Sequence, residues 1–592
     1  MLGPMTTRVF LGWDGAFLPR AADWLLGRRD TLPLTLVVVP TSQAGRRLRE
    51  ALAEQAGGAL LSPKITTPGA LMRTPDPAVA VDWIERLAWM ETLESINDWE
   101  ALQDLFPAAP ETTGEWSGGL AAEFTRLRRS LQENGLTLAA AARMLANTIE
   151  SRRWEVLARL ENRMERTLDS WGLQSRSRLL AEGLRLPDGI GAVVLAGITD
   201  TPPLLDRALL AWNGPVSALI AAPGTVESGF SPLGKPLVEY WSPRPLPWPD
   251  GDWGAVHLVA DPRQEAAGAL RVVAEHKLPS NDVALGSADR ETGDELARVF
   301  TRAGWTAFHP AAQPVTAGLT RWLGVWRAWL ADPTLATLAD LLAMPETSNL
   351  IDGSRSMKAG LLAGLRNDWM VIRTADLRQR IETVRFRSDA QRDNAHEVMR
   401  LAELLESRRA AFITDGFTAA LRSLLDDMAR SGGGTAGEAA VFSDWLDAAS
   451  PVMRQVRRDA VFWLALMLDD IPAPAPQPPD DRVLDVLGWL ELLYEPGRHL
   501  VLCGMNEGKV PARKSGDPFL GGTACAMLGL TRDADRAARD AFLYQAMLEA
   551  RRDGGRVDVF CAKSAAGGES LLPSRLLLAA ERDELPARVA FL

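Results

Sequence analysis

Apolar residues fall along this chain in two rhythms. Short runs rich in β-branched residues, at Leu34–Val39 (LTLVVV), Ala192–Leu195, Val216–Ala221, Val256–Val259, Val283–Leu285, His499–Cys503 and Val557–Cys561, are strand-sized. Most are followed by a turn signal or a helical pattern. That alternation predicts parallel sheets covered by helices, because strands buried on both faces read as continuous apolar runs. Between them, over Ala80–Leu186 and Leu319–Leu468, apolar positions recur at helical spacing with few strand signals. The order is α/β, helical block, α/β, α/β, helical block, α/β. A helical block interrupting an α/β unit twice over predicts two related units, each carrying an insertion.

Proline sharpens the divisions. Trp241–Asp252 (WSPRPLPWPDGD) and Ile471–Asp481 (IPAPAPQPPDD) exclude both helix interior and central strand, so they read as linkers or surface connections. Ser431–Thr435 (SGGGT) reads as a loop between helical patterns. A chain of 592 residues is too long for one core, and its 47% hydrophobic content is ample for several. No stretch approaches about twenty uninterrupted apolar residues, and Met1–Pro19 carries Asp14 and lacks a basic start, which predicts a cytoplasmic protein without a membrane span.

Charge and chemistry narrow the function by exclusion. A net charge of −11 argues against coating nucleic acid over the whole surface, while leaving room for a basic channel inside an acidic shell. Arginine supplies nearly all the positive charge, which suits phosphate contacts but also follows from GC-rich coding. Cys503, Cys525 and Cys561 are too widely spaced for a C-x-x-C metal site or a disulfide framework and read as buried apolar side chains. Among His257, His276, His309, His396 and His499, the stretch His396-Glu397-Val398-Met399-Arg400 lacks the second histidine of a zincin helix.

Four segments carry a resemblance. Val37-Val38-Val39-Pro40-Thr41-Ser42-Gln43-Ala44-Gly45-Arg46-Arg47-Leu48 runs from a strand through a Thr turn into an amphipathic helix. Ile65-Thr66-Thr67-Pro68-Gly69-Ala70-Leu71 is a second such turn. Val193-Val194-Leu195-Ala196-Gly197-Ile198-Thr199-Asp200-Thr201-Pro202-Pro203-Leu204-Leu205 is a strand and the turn after it. The longest runs from Val486-Leu487-Gly488-Trp489-Leu490-Glu491 through Leu502–Pro511 (LCGMNEGKVP), Asp517-Pro518-Phe519-Leu520, Leu528-Gly529-Leu530 and Arg536–Leu543 to Pro573-Ser574-Arg575-Leu576. Together they resemble the superfamily 1 helicase core, specifically its AddB-type branch, and Asp261-Pro262-Arg263-Gln264-Glu265-Ala266 looks like the start of the second RecA-like domain. The resemblance implies an α/β fold of two RecA-like parallel-sheet domains, each interrupted by a mainly helical insertion. The first would comprise 1–85 and 187–250 with an insertion at 86–186; the second, 251–330 and 481–592 with an insertion at 331–480.

The first two segments look like the family's motifs Ia and Ib, where turn hydroxyls and amides meet a single-strand phosphate at a helix N-terminus. Thr41 or Ser42 serves equally well as a plain helix cap. The third looks like the Walker B strand, yet Ala196 and Gly197 stand where magnesium-holding acids are needed, and Asp200 reads as well as a turn residue. A phosphate loop needs free amides, a lysine and Ser/Thr. None of Lys64, Lys235, Lys277, Lys358, Lys509, Lys514 and Lys563 occurs as Gly-Lys-Ser/Thr. After Val9-Phe10-Leu11 the chain reads Gly12-Trp13-Asp14-Gly15-Ala16-Phe17-Leu18-Pro19, a degenerate loop keeping Gly12 and Gly15 but placing Asp14 and Phe17-Leu18 where phosphate and Lys-Ser/Thr belong. Full-length AddB-type proteins end in a nuclease domain with an iron–sulfur cluster. Here Glu275-His276-Lys277 and Glu507-Gly508-Lys509 read as chance Glu-x-Lys matches, the cysteines do not fit a cluster, and the chain stops about where that domain would begin.

The resemblance therefore implies a non-catalytic helicase-like subunit, with no cofactor of its own. It would guide single-stranded or tailed duplex DNA during double-strand break processing and recombinational repair, beside an AddA-like helicase–nuclease partner, in a complex that is itself an ATP-dependent helicase–exonuclease. Candidate DNA contacts are Thr41, Ser42, Gln43, Arg46, Arg47, Thr66 and Thr67. Arg126, Arg128, Arg129, Arg152 and Arg153 are either a further contribution or a solvated helix face, and the twenty tryptophans are either base-stacking platforms or core. The alternative is an interaction scaffold of the same complex without DNA contacts. An enzyme acting through another site is the third reading, and no Ser-His-Asp, Cys-His or metal constellation supports it.

Overall fold

The computed structural model describes residues 6–73, 76–109, 116–277, 279–312, 318–350, 373–430, 435–471, 483–513 and 517–592. The expected breaks at 431–434 and 472–481, and positions 351–372 of the second helical block, lie outside the described residues. The chain divides into two compact units, Met1–Ala312 with Pro476–Leu592, and Gln313–Ala475.

The larger unit is mixed α/β with two sheets whose paired strands are all parallel. The first orders β1 (Thr6–Phe10), β5 (Val216–Ile220), β4 (Ala192–Ala196), β2 (Thr35–Val38) and β3 (Lys64–Thr66) side by side. The second orders β6 (Gly254–Val259), β11 (Arg556–Ala562), β10 (His499–Cys503), β7 (Val283–Ser287), β9 (Leu484–Gly488) and β8 (Ala307–Phe308). The apolar runs form the central strands: β2 and β10 are buried at every position, as parallel strands covered on both faces must be. Sequence reading left β3 inside a turn motif, β9 inside a longer segment and β8 unassigned. β3 and β8 are sheet edges of three and two residues that are partly exposed, so their apolar signal is weak.

One buried apolar cluster runs continuously from the first sheet to the second. Val37, Val194, Ala196 and Leu219 meet Leu487, Leu500, Leu502, Val557 and Val559 through Phe17, Leu18, Trp489, Leu492 and Tyr494. The far face of the second sheet packs on helices Pro262–His276 and Arg290–Arg302, and the far face of the first on helix Pro203–Ala211. Between β3 and β4 lie the helices Asp82–Glu94, Trp116–Gln132, Leu138–Met144, Ser151–Ser170 and Arg176–Ala181. Every named element among the described residues of the smaller unit is a helix, with Trp322, Trp326 and Trp329 of helix Gly318–Ala331 fully buried. No helix among the described residues is long and apolar enough to cross a membrane.

Candidate functional site

The degenerate loop leaves the tip of β1 and enters helix α1 (Phe17–Leu26). A phosphate cradle needs backbone amides free to point at the anion. Here the Leu11, Gly12 and Gly15 amides already donate to the Ile220, Ala222 and Trp13 carbonyls, at 2.8 to 2.9 Å. Arg20 reaches back from α1 and donates to the Leu11 and Gly15 carbonyls, and its pairing with Asp14, at 3.3 Å, closes the loop on itself. Backbone hydrogen bonding and the Arg20 charge hold the Asp14 carboxyl below its ordinary range.

Aromatic rings fill the adjoining space. Gly197 follows β4 at φ +67°, and a Cβ there would lie 2.7 Å from the Phe17 ring and 2.9 Å from the Tyr494 ring. Phe17 and Tyr494 meet edge to face at 6.1 Å, and the Tyr494 hydroxyl donates to the Gly197 carbonyl at 2.6 Å. Tyr494 ends the turn Trp489–Tyr494 that follows β9, so a side chain from the second sheet seals the tip of the first. Leu18 is buried beside it.

The candidate DNA contacts lie on the neighbouring tips. Because β2 and β3 pair with Val38 opposite Thr66, their following turns are adjacent. Thr41 caps helix α2 (Ser42–Gln55), its hydroxyl accepting from the Ala44 amide at 3.1 Å, and Thr67 caps the turn Pro68–Leu71 through the Ala70 amide at 3.2 Å. Thr41 also hydrogen-bonds the Glu491 carboxyl. Ser42 is exposed at the start of α2, and Thr66, half-buried, gives its carbonyl to the Val39 amide. Gln43, Arg46 and Arg47 turn toward the second sheet. Gln43 and Arg46 donate to Asp485, at 3.3 and 2.9 Å, and Arg47 pairs with Glu495 at 2.9 Å and Asp485 at 3.3 Å. Their charge is met within the chain, and burial pushes the Glu495 carboxyl up despite Arg47.

The other arginines part company. Arg128 belongs to neither expected class: it is fully buried, bound to Glu85, Glu161, Glu165 and the Ser175 hydroxyl. Arg126 pairs with Glu123, Arg129 with Asp82, and Arg153 with Glu150 while its guanidinium sits over the Phe519 ring; Arg152 is exposed. Asp200 pairs with Arg539 at 3.1 Å. The three cysteines are buried and free, as expected. Glu397 is held by Arg400, and no group of three or more His, Cys, Asp or Glu among the described residues is placed to hold a metal ion.

Sequence reasoning passed over a cluster at the tips of the second sheet. Glu265 is fully buried on helix Pro262–His276, one carboxylate oxygen accepting the Gly504 amide at 3.2 Å and the other without a hydrogen-bond partner. Burial pushes this carboxyl up to about 7. Lys509 pairs with Asp289 at 2.8 Å, and Glu507 with Arg513 and Arg575, so Glu507 and Lys509 face separate partners. The only sequence signal was a glutamate at an apolar position of an otherwise amphipathic helix. No protein-family model matches the chain, and no curated protein matches it either.

Proposed function

We propose that this chain is a helicase-derived subunit of the AddB type, built on two RecA-like domains, that has lost nucleotide chemistry and guides one strand of a broken DNA end to a partner motor and nuclease. One observation carries the reading: Phe17, Tyr494 and the Arg20-closed loop occupy the space at the tips of β1 and β4 where such a fold would hold nucleotide phosphates. Beside it, the Thr67 hydroxyl accepts from a backbone amide and retains a proton to donate outward, while the adjacent Thr41 hydroxyl gives its proton to Glu491. The nearby Ser42 is exposed at a helix N-terminus, which favours an anion.

The engagement of Arg46 and Arg47 by carboxylates favours the second reading, a scaffold that docks partner proteins without touching DNA. Fluorescence anisotropy with single-stranded and tailed duplex oligonucleotides separates the two. Guiding predicts binding at low salt that weakens with log–log slope of about −0.7 for each phosphate neutralised. Undetectable binding at low salt, with and without an AddA-like partner, leaves the scaffold.

A further inference from the structure

Three turns converge on Glu265. Asp261 caps its own helix through the Gln264 amide at 2.9 Å. Asp289 caps helix Arg290–Arg302 through the Thr292 amide and hydroxyl, both at 3.0 Å, and holds the Lys509 ammonium. The loop Gly504–Pro511, leaving β10, lies over both. Gly504 adopts φ +77°, and a Cβ there would sit 3.0 Å from the Asp289 carboxylate, so this loop has little room on that side.

The charged and titratable groups acting on Glu265 are Asp261 on its own helix, Asp289 on the next and Lys509 on the loop, and Glu265 in turn acts on the Cys503 and Cys561 thiols of β10 and β11. An ionised buried carboxylate needs donors for both oxygens. Glu265 has one, the Gly504 amide. Lys509 is the cation that acts on it, on a flexible stem and shared with Asp289.

We infer that Glu265 is a proton-controlled positioning residue for Lys509: protonated, it leaves the ammonium on Asp289; ionised, it draws the ammonium inward and withdraws a cation from the loop surface. The proton goes to solvent, and the ammonium keeps its own three. Burial against two like charges places this ionisation near neutral pH, within reach of ordinary changes in the medium. That Lys509 then meets a DNA phosphate rests on the function proposed above; the switch itself does not.

The chain has seven lysines, so the full-length protein labelled with ¹³Cε,¹⁵Nζ-lysine gives a countable spectrum. Lys509→Met assigns the relevant signal. Over roughly pH 5.5 to 8.5, the Lys509 signal shifts with one midpoint near neutrality, and Glu265→Gln abolishes that titration. A Lys509 signal constant in wild type, or one that titrates unchanged in Glu265→Gln, overturns the proposal. Should Glu265→Gln fail to fold, Asp289→Asn, which preserves the helix cap, lowers the midpoint by half a unit or more, on the order expected for removing one nearby like charge; an unmoved midpoint is equally fatal. In parallel, a mixed-sequence single-stranded oligonucleotide binds several-fold more weakly above the midpoint than below it. Absent DNA binding would refute the guiding function while the lysine titration still decides the switch.

Discussion

Gly197 is the position where the smallest chemical change meets the greatest resistance. Its positive φ disfavours any side chain, and a methyl group would collide with both Phe17 and Tyr494. Left-handed strain and overpacking each cost about 1–3 kcal/mol, so Gly197→Ala lowers stability by roughly 2–6 kcal/mol, read as a fall in the urea midpoint. Glu265 predicts a pH signature of a particular sign. Its folded value lies above its unfolded one, so it favours the native state fully below about 4.5, and that contribution is lost as pH rises through about 7. At about 1.4 kcal/mol per unit, wild type loses at most about 3 kcal/mol relative to Glu265→Gln across that window. Urea titrations of both proteins at a series of pH values measure it, and parallel pH dependences would contradict it. Neither residue announced itself in the sequence. Gly197 was noticed for the acid it lacks, while its contact with Tyr494 joins positions 297 residues apart.

Among the elements, helix Trp116–Gln132 shows what periodicity offered and what it concealed. The run Arg126 to Arg129 reads as a charged face, yet Arg128 shares the helical face of Phe124 and Leu131, both buried. That spacing was legible; the three glutamates that meet it come from two other helices and were not. Removing one partner of a buried ion pair costs about 3–5 kcal/mol because the other charge is stranded, and Arg128→Leu strands three. The expected result is a helical block between β3 and β4 that unfolds well before the sheets, detected by hydrogen exchange. Burial already raises the Glu85 carboxyl, so protonation eases the defect and protection recovers as pH is lowered. Equal protection in mutant and wild type at neutral pH would show that the hub contributes nothing. Strands were easier, because β2, β4, β5, β7, β10 and β11 bury both faces; β3, β8 and β9 needed their neighbours to become strands.

At the scale of the molecule, the two parallel sheets share one apolar core through Phe17, Leu18, Trp489, Leu492 and Tyr494. A motor that opens and closes around a nucleotide moves such sheets against each other; the shared core, with Arg47 bridging to Glu495 and Asp485, opposes that motion, beside a cavity of about 550 Å³ lined by Leu18, Arg47, Asp485, Tyr494 and Glu495. The alternation of strands and helices made the sheets readable from the sequence. How they join was not, since Arg46 and Arg47 offered charge without saying whether a phosphate or a carboxylate would receive it. The most direct measurement is equilibrium titration of the whole protein with a fluorescent ATP analogue and magnesium, with and without single-stranded DNA. No saturable binding into the millimolar range and no phosphate release are expected under either condition. Saturable submillimolar binding, or DNA-stimulated ATP turnover, would contradict the proposed loss of nucleotide chemistry.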